Sequence, residues 1–108
     1  MTSSLDVTEN LASESATSSN RVSLQSIKDN IDEIEYVNSV VCPHMTIALV
    51  KMLNGFVVVG KSAPADPANF NPELGKKFAY EDCIRQLWQL EGYALCSYLH
   101  DVRAEPRS

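Results

Sequence analysis

The dipeptide Asn54-Gly55, placed between two apolar runs, constrains the fold of this chain more than any other feature. One apolar run, residues 45–53, precedes the dipeptide, and a second, residues 56–59, follows it. Asparagine and glycine both tolerate the positive φ of a type I′ turn, and the pair is the strongest two-residue signal for a β-hairpin. The sequence therefore predicts an antiparallel hairpin built from these two runs.

A two-residue turn also fixes the register of the hairpin, with Leu53 opposite Phe56 and Val50 opposite Val59. In this register both faces of the strand pair are mainly apolar, whereas a half-exposed sheet alternates apolar and polar residues. One face carries Ile47, Leu49, Lys51, Leu53, Phe56 and Val58, and the other carries Ala48, Val50, Met52, Val57 and Val59. Either helices on opposite sides or a second subunit must cover them, and we expect a homo-oligomer.

Two helices and a further strand frame the hairpin. Leu24, Ile27, Ile31 and Ile34 recur at spacings of three and four, which predicts an amphipathic helix with Ser23 as its N-cap. A strand at residues 36–41 follows and stops at Cys42-Pro43. A long helix then begins at Asn71-Pro72-Glu73 and runs to about Val102, because an N-cap asparagine, a first-turn proline and an early acid all favour a helix start.

These segments together predict an α+β domain of order α-β-β-β-α, in which a three-stranded antiparallel meander is packed by the long C-terminal helix. Residues 1–22 contain six serines and three threonines but few large apolar groups. Such a segment cannot bury enough surface to offset the entropy of ordering. We therefore expect a disordered tail at residues 1–22 and a single domain at residues 23–108.

Three residues of the long helix need a structural explanation. Glu81 and Glu91 both fall inside the apolar stripe of the helix. Glu81 has Lys77 and Arg85 one turn away, so an intrahelical pair satisfies it. Glu91 has no local partner and needs one from the sheet or from another subunit, and ligand binding or a role as a catalytic acid or base are the alternatives. Gly92 interrupts the helix at the edge of the stripe, where a missing side chain allows another backbone to approach.

Motifs for catalysis or metal binding are missing from the sequence. Residues 55–62 match the phosphate-loop pattern GxxxxGK[ST], but their centre, Phe-Val-Val-Val, favours a strand, and Ala-Pro-Ala-Asp-Pro follows where a helix should start. The three cysteines, Cys42, Cys83 and Cys96, form no CxxC pair, and His44 and His100 have no metal-ligand spacing. We therefore expect that the chain is not an enzyme and that it binds neither a metal nor a cofactor.

Charge and hydropathy disfavour two classes of partner, although the acidic balance leaves room for a small local basic pocket. The formal net charge is −5, which disfavours a broad electrostatic footprint on DNA, RNA or anionic lipid. No stretch approaches the roughly 18 consecutive apolar residues of a transmembrane helix. We therefore expect neither a nucleic acid nor a membrane as a partner.

The polar connection between the last strand and the long helix is the best candidate site in the sequence. It holds Lys61, Ser62, Asp66 and Asn69 beside the amides of a helix N-terminus, and such a junction can hold an anion or the polar edge of a small ligand. Arg85, on the long helix, is the fifth residue that we expect to take part. Turn formation and helix capping are the alternative roles for the same residues.

A set of short motifs carries a family resemblance over about residues 36–99. The motifs are Asn54-Gly55-Phe56, Gly60-Lys61-Ser62-Ala63, Asp66-Pro67-x-Asn69-Phe70, Glu73-x-Gly75-x-Lys77, Ala79-Tyr80-Glu81 and Trp88-x-Leu90-Glu91-Gly92-Tyr93. In this combination the chain resembles a family of small accessory proteins of tailed bacteriophages. It departs from the pattern of that family at Ala65 and in its longer N-terminal tail.

The resemblance implies a phage-encoded accessory protein that is not part of the virion and that acts in the cytoplasm of the host bacterium. It brings no reaction, cofactor or catalytic residue. Small phage proteins of this kind often act in host takeover or counter-defence, which is an argument by analogy. Two hypotheses follow: the chain binds and sequesters a nucleotide immune signal, or it is a protein–protein inhibitor of a host enzyme or defence protein.

Overall fold

The structure is a computed structural model that describes residues 21–104 together with Leu5, Asp6, Thr8 and Glu9. Its elements are α1 (Leu24–Asp29), β1 (Ile31–Asn38), β2 (Thr46–Met52), β3 (Val57–Ser62), a short 3₁₀ helix (Pro67–Asn69) and α2 (Pro72–Ala104). The strands form one antiparallel sheet in the order β1-β2-β3. The predicted α-β-β-β-α order, the meander and the long C-terminal helix are confirmed.

The first helix is shorter than its apolar spacing predicted. Ser23 is its N-cap, as expected, with the side chain accepting from the Ser26 amide at 3.1 Å. The helix ends at Asp29, however, because Asn30 caps it: the Asn30 side chain donates to the Ser26 carbonyl at 2.8 Å. Ile31 and Ile34 therefore lie in β1, where a β-branched side chain suits an extended backbone.

The first strand accordingly starts and stops earlier than predicted. It spans Ile31–Asn38 rather than residues 36–41, and it pairs along its length with β2, for example Ile34 with Val50 and Tyr36 with Ala48. The Asn38 side chain ends the strand by donating to the carbonyl groups of Pro43 and Met45 at 3.2 and 3.0 Å. Pairing with a neighbouring strand thus overrides the three-and-four spacing of the isoleucines.

The hairpin forms at Asn54-Gly55, but its predicted register is wrong by one residue. Lys51 pairs with Val57 and Leu49 with Val59, because the loop contains three residues, 53–55, instead of two. Gly55 alone takes a positive φ, of 91°, and the Asn54 side chain accepts from the Phe56 amide at 3.0 Å. This combination is a type I turn followed by a left-handed glycine, the usual three-residue hairpin loop.

The one-residue shift turns the side chains of β3 to the opposite face from the one predicted, since side chains alternate along a strand. The inner face of the sheet is packed against α2. It presents Thr46, Ala48, Val50, Met52, Val58 and Gly60, all buried. The outward side chains form what we call the open face. They are Glu33, Glu35, Val37, Ile47, Leu49, Lys51, Val57, Val59 and Lys61.

Small residues allow α2 to lie close to the inner face. A Cβ atom added at Gly60 would lie 2.3 Å from the Ala79 carbonyl oxygen and 2.7 Å from the Cys83 sulfur. The buried residues of α2 all lie between Gly75 and Leu87, so the core occupies only the first half of a helix of 33 residues. The remainder of α2 extends past the sheet.

The N-terminal segment contributes to this core where the structure describes it. Leu5, Asp6, Thr8 and Glu9 are helical, and Leu5 is buried in the hydrophobic core. Glu9 accepts from the Leu24 amide at 2.6 Å and pairs with Arg21, also at 2.6 Å. Arg21 and Val22 are also described, and the rest of the expected tail at residues 1–22 lies outside the described residues.

Candidate functional site

A cavity of about 680 Å³ lies between the tip of the hairpin and the middle of α2, and we call it the hairpin-tip cavity. Its lining residues come from α1, the hairpin and α2. They are Asn30, Met52, Leu53, Asn54, Phe56, Leu87, Leu90 and Glu91. The volume falls within the range of about 300–1,000 Å³ that is usual for ligand sites in proteins.

The two asparagines that line the hairpin-tip cavity are fixed by backbone contacts. The carbonyl group of Asn30 accepts from the Leu53 amide at 2.8 Å, which ties the hairpin tip to the end of α1. The Asn54 side chain uses its oxygen to accept from Phe56, so its NH₂ group is left to donate elsewhere. Both positions are therefore defined by the capping and turn geometry that shapes the cavity wall.

Glu91 gives the hairpin-tip cavity its charge, because it is the one ionisable group among the eight described lining residues. The other lining side chains are amides or apolar, and Leu53, Phe56 and Leu90 keep 63%, 52% and 48% of their surface exposed. A carboxylate beside exposed apolar groups favours a cationic or hydrogen-bond-donating ligand with an apolar stem. A phosphate group is disfavoured as a ligand, because the described lining residues include no lysine or arginine to balance its negative charge.

The predicted burial of Glu91 is wrong. The side chain is exposed, because α2 has already passed the buried core at this position. Glu81 is the buried carboxylate instead, at 5% exposure, and among the described residues it forms neither of the expected ion pairs with Lys77 and Arg85.

Gly92 faces open space, with no atom within 4 Å of an added Cβ, so the close approach expected there is not seen.

A second, smaller cavity of about 200 Å³ lies at the polar connection that the sequence indicated. Ser62 and Asn69 both line it, together with apolar groups that include Phe70 and Phe78. Lys61 and Asp66 do not line this cavity: Lys61 is an outward residue of the open face, and the Asp66 side chain caps the 3₁₀ helix by accepting from the Ala68 amide at 3.0 Å.

Arg85 is exposed on α2 and lines neither this smaller cavity nor the hairpin-tip cavity. Of the five predicted residues, Ser62 and Asn69 therefore line this cavity, whereas Lys61, Asp66 and Arg85 do not.

The free amides expected at the start of α2 are already used. The Asn71 side chain accepts from the amides of Glu73 and Leu74 at 3.0 and 3.3 Å, and the Gly75 amide donates to the Asn71 carbonyl at 2.8 Å. Pro72 has no amide hydrogen. An anion at this junction would have to bind through side chains alone, so the capping role of these residues is the one that the contacts favour.

Three titratable side chains lie near the helix–sheet contact, and burial shifts all of them. Burial, assisted by the Asp82 carboxylate, raises the pKa of the Cys83 thiol to about 11. Burial is also the main cause that raises the pKa of Tyr36 and of Tyr80, and Cys83 contributes to both. All three groups are therefore neutral near pH 7, and Cys83 is not a nucleophile there.

A thiol–imidazole contact occurs in the loop between β1 and β2. The Cys42 sulfur lies 3.3 and 3.6 Å from the two ring nitrogens of His44. No group of three or more possible metal ligands occurs within the part of the chain that the structure describes.

Across residues 21–104 and the four described residues before them, no helix is long and apolar enough to cross a membrane.

The fold and the hairpin-tip cavity define a small α+β domain with a carboxylate-bearing cavity at its hairpin, and within the described residues one face of its sheet is left uncovered. The family model of the Phage protein (N4 Gp49/phage Sf6 gene 66) family matches residues 22–99. The chain belongs to this family, which confirms the resemblance to a family of phage proteins. No curated protein and no solved structure shows significant similarity to the chain.

Sequence reasoning missed most of the hairpin-tip cavity. The apolar spacing places Asn30 inside a helix that in fact ends at Asp29, and the Asn54-Gly55 signal predicts a two-residue turn where the loop has three residues. The signal that could have found the first is the asparagine itself, since asparagine is frequent at the C-terminal end of a helix. Phe56 could not be placed at the cavity before the three-residue loop was known.

Proposed function

We propose that this phage protein is a non-enzymatic binding protein that acts in host takeover or counter-defence, in the cytoplasm of the infected bacterium, by gripping a host protein. The hairpin-tip cavity is the site, and the partner inserts a lysine or arginine side chain into it. Glu91 pairs with the cationic head, while the apolar lining contacts the aliphatic stem. Binding, rather than turnover, inhibits the host enzyme or defence protein.

The observation that carries this proposal is the combination of Glu91 with exposed apolar groups at the rim of the cavity. Aromatic and large apolar side chains are typical of protein-binding surfaces, and a basic anchor in a desolvated pocket is a common energetic centre of such interfaces. Phe56 and Leu53, from the hairpin, and Leu90, from α2, supply the apolar rim.

Sequestration of a nucleotide immune signal is the second candidate. The cavity volume of about 680 Å³ accommodates a nucleobase, Phe56 offers an aromatic ring for stacking, and Asn30 and Asn54 offer amides for the edge of a base. The phosphates would then lie outside the cavity, because no lysine or arginine is among the described lining residues. This mode differs from the one that the sequence indicated, which used Lys61 and Arg85.

Site-specific photo-crosslinking in infected cells tests the first candidate. A photoreactive phenylalanine analogue at Phe56 should capture a host protein, while the same analogue at Val40, in the loop at the opposite end of β1, should not. Glu91→Lys should reduce the yield at Phe56 at least about tenfold, because it places like charges together. Glu73→Lys, an exposed carboxylate in the first turn of α2, is the matched charge control.

A thermal-shift screen against cyclic dinucleotides, cyclic trinucleotides and cyclic ADP-ribose isomers tests the second. A ligand at about 100 times its dissociation constant adds about 2.7 kcal/mol to the free energy of unfolding, which raises the melting temperature by several degrees. A shift with the nucleotide recovered intact would replace the first candidate by sequestration. No shift together with no capture at Phe56 would reject the hairpin-tip cavity as the site.

A further inference from the structure

The open face of the sheet has no cover within the described part of the chain. Val37, Val57 and Val59 keep 40%, 46% and 53% of their surface exposed, and they lie around the half-buried Ile47 and Leu49. A sheet in a water-soluble fold normally presents polar residues on an uncovered face. A contiguous apolar surface of this kind is typical of an interaction site.

The charges of the open face are arranged by strand. Glu33 and Glu35 lie on the edge strand β1, while Lys61 lies on the opposite edge strand β3. Lys51, on the middle strand, is 3.7 Å from Asp32. Among the described residues, Glu33, Glu35 and Lys61 form no ion pair. With Asp32 counted beside Lys51, three acids and two bases lie at this face. The acids that remain after the Asp32–Lys51 pair lie on β1, and the remaining base, Lys61, lies on the opposite edge.

This arrangement is self-complementary under one particular rotation. A two-fold axis parallel to β2 and above it places β1 of one copy over β3 of the other. Glu35 lies level with Val59 in the sheet, so in the dimer it lies over this position of the partner copy. The lysine of the partner copy's β3 is two residues further along that strand. An axis perpendicular to the strands would instead place β1 over β1 and bring the carboxylates together, which is unfavourable.

We propose that the open face is the interface of a homodimer, in which the sheets of two copies pack face to face along parallel β2 strands and the two α2 helices lie on the outside. Leu49, Ile47 and the valines form the apolar centre, and the acidic edge of each copy meets the basic edge of the other. The hairpin-tip cavity lies on the other side of the sheet, against α2, so it stays accessible in this dimer.

The first test is the molar mass of the full chain by light scattering and sedimentation equilibrium over a wide range of concentrations. We expect about twice the mass of 11.9 kDa, with dissociation on dilution. Leu49→Lys should give a monomer with an unchanged circular dichroism spectrum, because it places a charge at the centre of the interface. Val40→Lys, at a residue that is 97% exposed outside the sheet, should leave the dimer intact.

Charge reversal tests the orientation of the dimer. Glu35→Lys alone and Lys61→Glu alone should each raise the dissociation constant about tenfold, and the double variant should return it to within about threefold of the original value. A chain that stays monomeric as concentration rises would overturn the proposal, and so would a dimer that Leu49→Lys leaves intact. A dimer that Glu35→Lys strengthens would overturn this arrangement, because it would mean that β1 faces β1.

Discussion

The two faces of the sheet are built from alternate residues of the same three strands, yet they differ in how closely they are packed. On the inner face the residues are small where α2 approaches, with Ala48 and Gly60 beside Ala79 and Cys83. On the open face the residues are larger, mostly valine, leucine and isoleucine, and they are mixed with charges. Neighbours in sequence therefore differ sharply: Val58 is 5% exposed and Val59 is 53% exposed.

This difference shows that the amount of apolar surface and the closeness of packing are separate properties of a face. The inner face specifies one position for α2, because nothing larger than hydrogen fits at Gly60. The open face offers apolar surface without such tight steric constraints, so it can stabilise an association without defining the fold of the chain. Substitutions should therefore act on the free energy of unfolding at the inner face and on association at the open face.

Gly60→Ala should produce the largest loss of stability. The added methyl group would lie within 3 Å of the Ala79 carbonyl oxygen and of the Cys83 amide nitrogen, which are backbone atoms and cannot rotate away. We expect the free energy of unfolding to fall by about 3 kcal/mol, measured by urea denaturation. Gly92→Ala is the matched control, since open space and a helical backbone predict a gain of up to about 1 kcal/mol. Equal stability of the two variants would disprove the close contact.

The buried thiol on the inner face should make stability fall in alkaline solution. The pKa of Cys83 is about 11 in the folded chain against an ordinary value of 9.0, so unfolding releases a proton between these pH values. The free energy of unfolding should therefore decrease as the pH rises through this window, by up to about 2 to 3 kcal/mol. Well below pH 9 the thiol is protonated in both states and contributes no pH dependence.

Comparison of Cys83→Ala with Cys96→Ala isolates this effect. The first substitution removes the buried thiol, so part of the alkaline loss should disappear, whereas the second removes an exposed thiol and should leave the loss unchanged. Tyr36 and Tyr80, whose pKa values are also raised by burial, supply the decline that remains at higher pH. An identical decline in both variants would contradict the role of Cys83.

Val58 and Val59 provide a direct comparison of the two faces within one strand. Val58→Ala should lower the free energy of unfolding by about 2 kcal/mol, because it removes two buried methyl groups from the core. Val59→Ala should lower it by less than about 0.5 kcal/mol when the chain is dilute, and should weaken the dimer instead. Chemical denaturation at several protein concentrations separates the two effects. A large loss for both in dilute solution would mean that the open face is covered within a single chain.

The elements of the fold could be predicted because each has a local cause. Ser23 and Asn71 cap the two helices as expected, and Asn54-Gly55 forms the hairpin turn. The boundary between α1 and β1 could not be predicted, since Ile31 and Ile34 fit a helical spacing and a strand equally well. The choice between them is made by Asn30 and by pairing with β2, which is a contact distant in sequence.

The candidate site could be predicted far less well than the fold. The sequence placed five residues at one junction, and the structure brings only Ser62 and Asn69 together there. For Lys61 the reason is that the side-chain direction in β3 depends on the length of the hairpin loop, and one extra loop residue reverses it. The Asp66 side chain instead caps the 3₁₀ helix, and Arg85 is exposed on α2. The position of Glu91 depended in the same way on how far along α2 the core extends, which the apolar pattern of the helix does not reveal.

The ion pair between Asp32 and Lys51 should have the smallest effect on the free energy of unfolding. Its nitrogen–oxygen distance is 3.7 Å, and the two side chains keep 41% and 51% of their surface exposed. Solvent screens such a pair, so Lys51→Ala and Asp32→Ala should each change the free energy of unfolding by less than about 0.5 kcal/mol in dilute solution. The double variant should show little coupling between them. A loss above about 1 kcal/mol for Lys51→Ala would require that water be excluded from the open face even in the monomer, and the contrast between the two faces would then disappear.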